Sequence, residues 1–347
     1  MKLLCVGPIW RGSNAGGLFK AIARQGALIE IVDEFYQIPL EARSLLPKVI
    51  AKLSRNQFLR EYNREILAKF QIFRPDIVLV YKGAFVYPET LALMKKSGTP
   101  LVNFFPDVSF RAHGNLLPKT LPVYDHIFTT KTFGITDLKT QLGISSASFI
   151  PHGFDPEIHR PINQFLIPEE FFCEVSFIGT FSQKKEKLLG YLVEKLPSIK
   201  LKVWGEQWHK STNSLLKPFI QGRQILGDLY AAAISASLIN LGFLSEQVSG
   251  ASSGDLITSR TFHIPASGGF LLHERNEQSV TYYKEDEEAA FFEDEVELVQ
   301  KITKFLNQPE VREKIRQAGY HRALREHSLD QRAKSLVEQL NLLINEC

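Results

Sequence analysis

The chain has 347 residues, 44% of them hydrophobic and 23% charged, and a formal net charge of only +3. That is ordinary globular composition with room for about two domains, and the small net charge gives no case for nucleic acid as a partner. Cys5, Cys173 and Cys347 lie too far apart for a disulfide framework or a metal site, which fits a reducing cytoplasm.

Met1-Lys2 leads directly into the strand-like Leu3-Leu4-Cys5-Val6, so no secretory leader is expected, and no apolar run reaches the roughly 18 to 20 residues of a membrane span. The N-terminal half alternates strands and helices. Lys2 to Gly7 reads as a strand, Pro8 to Gly17 as a glycine-containing loop and Leu18 to Gln25 as a helix. Further strands are expected at Leu28 to Asp33, Ile77 to Tyr81, Leu101 to Phe105, His126 to Thr130 and Ser148 to Pro151. Short apolar runs between helical stretches indicate a parallel sheet covered on both faces.

A helical insertion spans about 41–73. Over Glu41 to Arg74 it carries eight basic residues (Arg43, Lys48, Lys52, Arg55, Arg60, Arg64, Lys69, Arg74) against Glu41, Glu61 and Glu65. Such a helix either contacts an anionic membrane surface peripherally or is a solvated outer face over a core stripe. Pro156 to Glu170, punctuated by Pro156, Pro161 and Pro168, reads as a linker.

A second alternating unit follows. Strands are expected at Val175 to Gly179, Lys200 to Gly205, Ala236 to Leu241 and Gly269 to Leu272, with a helix at Lys184 to Lys195 and another within Leu226 to Ser235. Helices at Glu295 to Asn307, Pro309 to Glu326 and Asp330 to Glu346 close the chain. Pro309 suits a first helical position and Asp330 an N-cap. The expected domains are therefore 1–160, with the insertion, and 170–325, followed by a last helix at 326–347 that packs back on the first domain.

The richest stretch runs from Ser252 to Gly269. Small residues lead into a short helix, which Ser252, Ser253 or Asp255 is expected to cap. Amides of Leu256 to Ser259 then point out of its N-terminus, an anion site with Arg260 one turn in and Asp255 at the mouth. Gly254, Thr258, Ser259, Arg260 and His263 are the candidate ligand contacts there. Upstream, Gly179, Thr180, Lys184 and Lys185 form a loop after a strand, where a ligand outside the carboxyl ends of a parallel sheet would lie. The lysines either neutralise a pyrophosphate or are a solvated charge run. Trp204 and Ile225 are placed to wall a flat base, although Trp204 also fits a core position.

This ordering resembles the C-terminal half of GT-B glycosyltransferases. It looks most like the CgeB-like group, with its glycosyltransferase family 4-like donor domain. The residues that carry the resemblance are Val175-Ser-Phe-Ile-Gly179 with Lys184-Lys185, Gly227-Asp-Leu-Tyr230 with Ser237 to Leu241, and Arg260 to Leu272. In the first half, Phe128-Thr-Thr130 and Phe149-Ile-Pro-His-Gly-Phe-Asp155, with His159 and Pro161, match the part near the hinge. The resemblance implies a GT-B fold: two Rossmann-like parallel-sheet domains facing across a cleft, with a helical C-terminal tail.

The resemblance also implies a function. It points to a glycosyltransferase of hexosyltransferase type, using a nucleotide diphosphate sugar (UDP or GDP favoured) with retention; Lys184, Lys185 and Arg260, and the absence of an Asp-x-Asp triplet, point to a reaction with no metal and no cofactor beyond the donor. Retaining members carry two glutamates separated by seven residues. Counting places them at Asp255 and His263 here, so both are replaced. The acceptor, a glycan, glycolipid or protein, is expected in the first domain. There Gly16 and Gly17 match a glycine loop, and Asp107 or His113 would orient or deprotonate the acceptor hydroxyl. Asp107 also suits an Asx turn and His113 an exposed loop. The alternatives are a nucleotide-sugar epimerase and a non-catalytic nucleotide-sugar-binding partner protein. The location implied is cytoplasmic, with peripheral contact at the inner membrane face if the basic helix binds lipid.

Overall fold

The computed structural model describes residues 1–34, 45–112 and 114–345, with 45–54 described by backbone alone. The chain divides into two compact units. The first comprises Met1–Pro151, Gln247–Gly254 and Leu329–Cys347; the second comprises His152–Glu246 and Asp255–Ser328. The stretch 247–254, expected within the 170–325 domain, is thus part of the first unit.

The first unit holds a six-stranded sheet of β1 (Lys2–Gly7), β2 (Leu28–Asp33), β3 (Ile77–Tyr81), β4 (Leu101–Phe105), β5 (His126–Thr129) and β6 (Ala147–Phe149), in the order β2-β1-β3-β4-β5-β6. Every pairing is parallel. Alternate residues feed two cores. Leu4, Val6, Val78, Val80 and Leu101 face one side, while Leu3, Cys5, Ile77, Leu79 and Val102 face the other. This period of two, buried on both faces, is why the strands read as unbroken apolar runs.

Helix α1 (Asn14–Arg24) follows β1, and α2 (Leu45–Phe73) falls in the basic insertion. Leu59, Tyr62 and Ile66 of α2 are buried in the core, whereas Arg55, Arg60 and Arg64 are exposed and Lys69 pairs with Glu30 at 2.8 Å. The basic residues that are described thus form a polar face over a core stripe. α3 (Pro88–Lys95), α4 (Leu117–Thr120) and α5 (Thr132–Leu142) complete the crossovers.

In the second unit, β7 (Cys173–Ile178), β8 (Leu201–Trp204), β9 (Ser237–Gly242), β10 (Leu271–Glu274) and β11 (Ala290–Phe292) form a sheet in the order β11-β10-β9-β7-β8, again all parallel. Its helices are α6 (Gln183–Lys195), α7 (Gly227–Ser235), α8 (Ser259–Ala266), α9 (Ser279–Tyr282), α10 (Glu295–Asn307) and α11 (Pro309–Glu326). The order reverses between β7 and β9. The carboxyl ends of these two strands therefore frame the crevice where doubly wound sheets take ligands.

The last helix, α12 (Leu329–Asn345), belongs to the first unit. Ala333, Leu336 and Leu340 share a core with Leu18 and Ile22 of α1, and Arg24 bonds Asp330 at 2.6 Å. Asp330 therefore lies inside the first turn, where it complements the helix dipole, rather than at the N-cap. Among the described residues no helix is long and apolar enough to cross a membrane.

Candidate functional site

The loop after β7 begins at Gly179. Its amide is used on Trp204 O at 2.9 Å, and its carbonyl accepts the Trp208 indole N–H at 2.8 Å. Ser182 then caps α6, accepting from the Lys185 amide. This sets Lys184 and Lys185 in the first turn, where the Lys184 amide donates to Glu246 Oε1 at 3.0 Å. The two side chains part ways. Lys184 Nζ is ion-paired with Glu274 at the end of β10, and Glu274 also accepts the Leu244 amide at 2.8 Å. Lys185 turns inward and is only 4% exposed. Among the described residues its ammonium makes one hydrogen bond, to Thr180 O at 3.2 Å, and no ion pair. Burial, and then the neighbouring charge of Arg260, pull its pKa down to about 8.

Arg260 sits at the switch point itself. Its Nη2 donates to Phe243 O, just beyond β9, at 2.6 Å, and Nη1 lies 3.5 Å from Ile178 O at the end of β7. The guanidinium lies 5.5 Å from the Phe177 ring centre, and its buried Nε has no partner among the described residues. Lys185 and Arg260 thus form a pair of cations held by carbonyls rather than by carboxylates. Glu246, Asp255 and Glu274 act on them only at longer range. Like charges are held together this way at a cost, and a bound anion relieves it.

A pocket of about 280 Å³ opens beside them. Gly179, Thr180, Gly205, Glu206, Ile225 and Tyr230 are among its lining residues. Gly205 (φ +139°) lets two backbones meet, because a Cβ there would stand 2.0 Å from Gly179 O. Trp204 is not in the wall. It is 1% exposed and stacks on Phe171 with ring centres 5.8 Å apart, so its candidate role against a base is corrected to a core role.

The donor-side helix also starts later than expected. Thr258 is the N-cap and α8 begins at Ser259, so the amides leaving its N-terminus are those of Ser259 and Arg260 rather than Leu256 to Ser259, the Thr261 amide being taken by Thr258 O at 3.1 Å. Ser252, Ser253 and Gly254 lie in the segment assigned to the first unit, where Asp137 accepts the Ser252 amide at 2.9 Å. Asp255 opens the return to the second unit, and its amide bonds Ser245 O at 2.9 Å.

The α8 terminus rests on a neutral histidine. Thr258 N–H donates to Thr261 Oγ1 (3.1 Å), which in turn meets His273 Nε2 at 2.9 Å. His273 Nδ1 lies 2.6 Å from Glu274 O. A carbonyl only accepts, so Nδ1 carries the proton and Nε2 accepts from the threonine hydroxyl. Burial pulls the His273 pKa down to about 4, consistent with this neutral tautomer.

His263 is deeper than a ligand contact on a pocket rim. Its Nε2 donates to Gly153 O at 3.1 Å, and its ring stacks on His159. Burial and its histidine neighbours hold it well below the ordinary imidazole pKa. It is therefore neutral, and its Nδ1 is left as an acceptor.

In the first unit, Gly16 and Gly17 do not form a loop. They occupy the first turn of α1, where Ser13 caps the helix: Ser13 Oγ takes the Gly16 amide at 2.9 Å and Ser13 O takes the Gly17 amide at 3.0 Å. Those amides are thus already bonded, while the missing Cβ of Gly16 allows the close approach of Ile9 Cα. Asp107, after β4, pairs with Lys82 at 2.9 Å. Lys82 itself has a left-handed φ of +62°, a strained setting for a non-glycine residue. His113 lies outside the described residues.

Sequence reasoning passed over Glu274, Glu246, Glu206 and Lys82. A carboxylate at the carboxyl end of a strand, as at Glu274, was the one available signal. Among the described residues no His, Cys, Asp and Glu cluster has the geometry of a metal site.

Residues 184–338 match a family model described as glycosyl transferase-like. No curated protein sequence matches the chain. Solved structures do. Sucrose-phosphate synthase from Thermosynechococcus elongatus is 11% identical with a TM-score of 0.69, each chain being covered in full (100%). Anabaena HepE in complex with UDP-glucose is 13% identical with a TM-score of 0.63, over 98% of this chain and 99% of that one. The α,α-trehalose 6-phosphate synthase from Burkholderia multivorans is 12% identical with a TM-score of 0.63, over 100% and 99%. The chain thus has the two-unit GT-B fold, and residues 184–338, most of them in the second unit, are similar to the glycosyl transferase-like family.

Proposed function

We propose that the protein is a glycosyltransferase that moves a sugar from a nucleoside diphosphate sugar to an acceptor hydroxyl. The observation that carries this reading is the Lys185–Arg260 pair, two cations without carboxylate partners beside a pocket at the switch point of the second sheet. A diphosphate supplies the missing negative charge, and the α8 amides add to it. The similarity of residues 184–338 to the glycosyl transferase-like family supports the same assignment, as does the UDP-glucose held by HepE in its complex.

In this reading the bond from the anomeric carbon to the diphosphate oxygen breaks and the acceptor oxygen bonds that carbon. The acceptor proton leaves with the departing phosphate or a nearby base. Lys185, Arg260 and the helix amides stabilise the leaving diphosphate by preorganised charge, so no metal is required. Asp255 is assigned to the sugar, while buried His263 supports the pocket wall through His159 and Tyr230. Retention at the anomeric carbon, kinship with the CgeB-like group, a hexose donor and a cytoplasmic setting are the finer parts of the proposal. Asp107 with Lys82 is the acceptor-side candidate in the first unit.

The test is NMR of the full chain with a panel of nucleotide sugars, with and without sugar and lipid-linked acceptors, in EDTA. Release of nucleoside diphosphate with a new glycosidic signal of unchanged anomeric configuration supports the proposal. An epimerised nucleotide sugar formed without acceptor would replace it by the epimerase reading, and no turnover or binding of any donor would remove it.

A further inference from the structure

We infer that the nucleotide of the donor carries guanine, and that Glu206 reads it. The inference rests on the donor-site reading above and specifies its substrate. One end of the pocket, at Gly179 and Thr180, adjoins the two cations: Lys185 bonds Thr180 O, and Arg260 Nη1 lies 3.0 Å from where a Gly179 Cβ would stand. That end takes phosphate, so the base lies along the rest of the lining, which includes Glu206, Gln224 and Ile225.

Ile225 is apolar and flanks a ring face. Glu206 is exposed to the pocket, and its carboxylate is in no hydrogen bond or ion pair among the described residues. Its position is fixed by its own backbone: Glu206 O accepts the Phe181 amide at 3.0 Å, and Gln207 beyond it turns through a left-handed φ of +63°. The nearest long cation in sequence, Arg223, instead leans on Glu170 and the Phe171 ring. The residue is thus held at the pocket lining by its backbone, and its carboxylate is left to a ligand.

An ionised carboxylate is an acceptor with two parallel oxygens. Guanine alone among the common bases presents two adjacent donors on one edge, N1–H and the 2-amino group, and these match both oxygens. Uracil presents one N–H between two carbonyl oxygens, whose lone pairs face the negative charge. Adenine and cytosine each pair one amino donor with a ring nitrogen that is itself an acceptor. A site built to accept two N–H groups rejects the base that lacks them, because its charged acceptor is desolvated without return.

Calorimetric titration of the full chain with GDP, IDP, UDP and ADP tests this. GDP is expected to bind at least about tenfold more tightly than UDP, with IDP, which keeps N1–H but lacks the amino group, in between. Glu206→Gln, a surface-compatible change, should bring GDP and UDP to within about threefold of each other by weakening GDP alone. UDP or ADP binding as tightly as GDP would overturn the guanine assignment while leaving the donor site intact. A GDP preference unchanged in Glu206→Gln would overturn the role of Glu206. Failure of all four nucleotides to bind would remove the donor-site reading and this inference together.

Discussion

The imidazoles of His159 and His263 stack face to face, 3.6 Å between ring centres and 25° from parallel. Tyr230, which lines the pocket, sets its ring edge against both, at 5.8 Å and 5.9 Å. Two cationic rings would repel at that distance, so the stack requires neutral histidines. Burial supplies this, pulling His159 down to about 3 and His263 well below its ordinary value. The pocket wall therefore rests on a support that acid removes.

Stability should accordingly fall with pH below about 6.5. His159 and His273 titrate near 3 and 4 in the folded chain but near 6.5 when unfolded. Between those values the unfolded chain binds more protons, so each buried histidine favours unfolding as pH drops. By linkage each contributes about 2 kcal/mol of lost stability by pH 5. Urea unfolding at pH 7 and pH 5 measures the drop. His159→Phe, which keeps a flat ring, should show a shallower pH dependence by about one histidine's share; an identical slope would mean that His159 is charged in the folded protein.

Lys185 acts with the same sign in a higher pH window, and in the opposite direction on binding. Its folded pKa is near 8 against an ordinary 10.5, so between these values the unfolded chain holds more protons and the ligand-free protein gains stability as pH rises. A bound diphosphate favours the ammonium and raises that pKa. Nucleoside diphosphate affinity should therefore fall above pH 8, approaching tenfold per pH unit. Calorimetry between pH 7 and 9.5 reads the loss of affinity, and urea unfolding over the same range reads the gain in stability. Lys185→Met should bind about 10- to 100-fold more weakly, with no pH trend of this kind.

Gly205→Ala should damage both the fold and the pocket. Its Cβ would stand 2.0 Å from Gly179 O, a backbone atom that cannot step aside, and its φ of +139° disfavours any side chain. A loss of at least about 2 kcal/mol is expected, along with loss of nucleotide-induced thermal stabilisation. Gly222→Ala is the matched control. It also has a positive φ (+66°), but its Cβ would enter open space, so only about 1 kcal/mol is expected. Equal melting temperatures for the two variants would contradict the close backbone approach.

Asp255→Asn should lower transfer by about 100-fold or more while leaving nucleoside diphosphate affinity within about twofold, because the carboxylate is assigned to the sugar and not to the phosphates. Steady-state rates and calorimetry on the same preparation separate the two effects. Unchanged turnover would remove Asp255 from the site.

The parallel strands were legible because both faces are buried, so runs such as Ile77–Tyr81 carry no polar interruption. β11, only three residues long, carries too short a pattern to stand out. The start of α8 was misplaced because Ser252, Ser253, Asp255 and Thr258 are all capable caps. The choice is made by distant contacts: Asp137 takes the Ser252 amide, and buried His273 takes the Thr261 hydroxyl under the helix. The candidate site was half legible. Glycines, lysines and Arg260 could be found from their places after strands. The division of labour between Lys184 and Lys185 could not, since it is set by Glu274, ninety positions away in the chain. Likewise Trp204 could be assigned to the core rather than the pocket only once Phe171 was seen stacked against it.

The central claim is that the second unit holds a nucleoside diphosphate at the β7–β9 switch point. Amide hydrogen exchange of the full chain, with and without saturating GDP or UDP, tests it most directly. Slowed exchange is expected in 179–186 and 258–262, with little change across β1 to β6. Protection confined to the first unit, or none at either second-unit segment despite saturation, would contradict it.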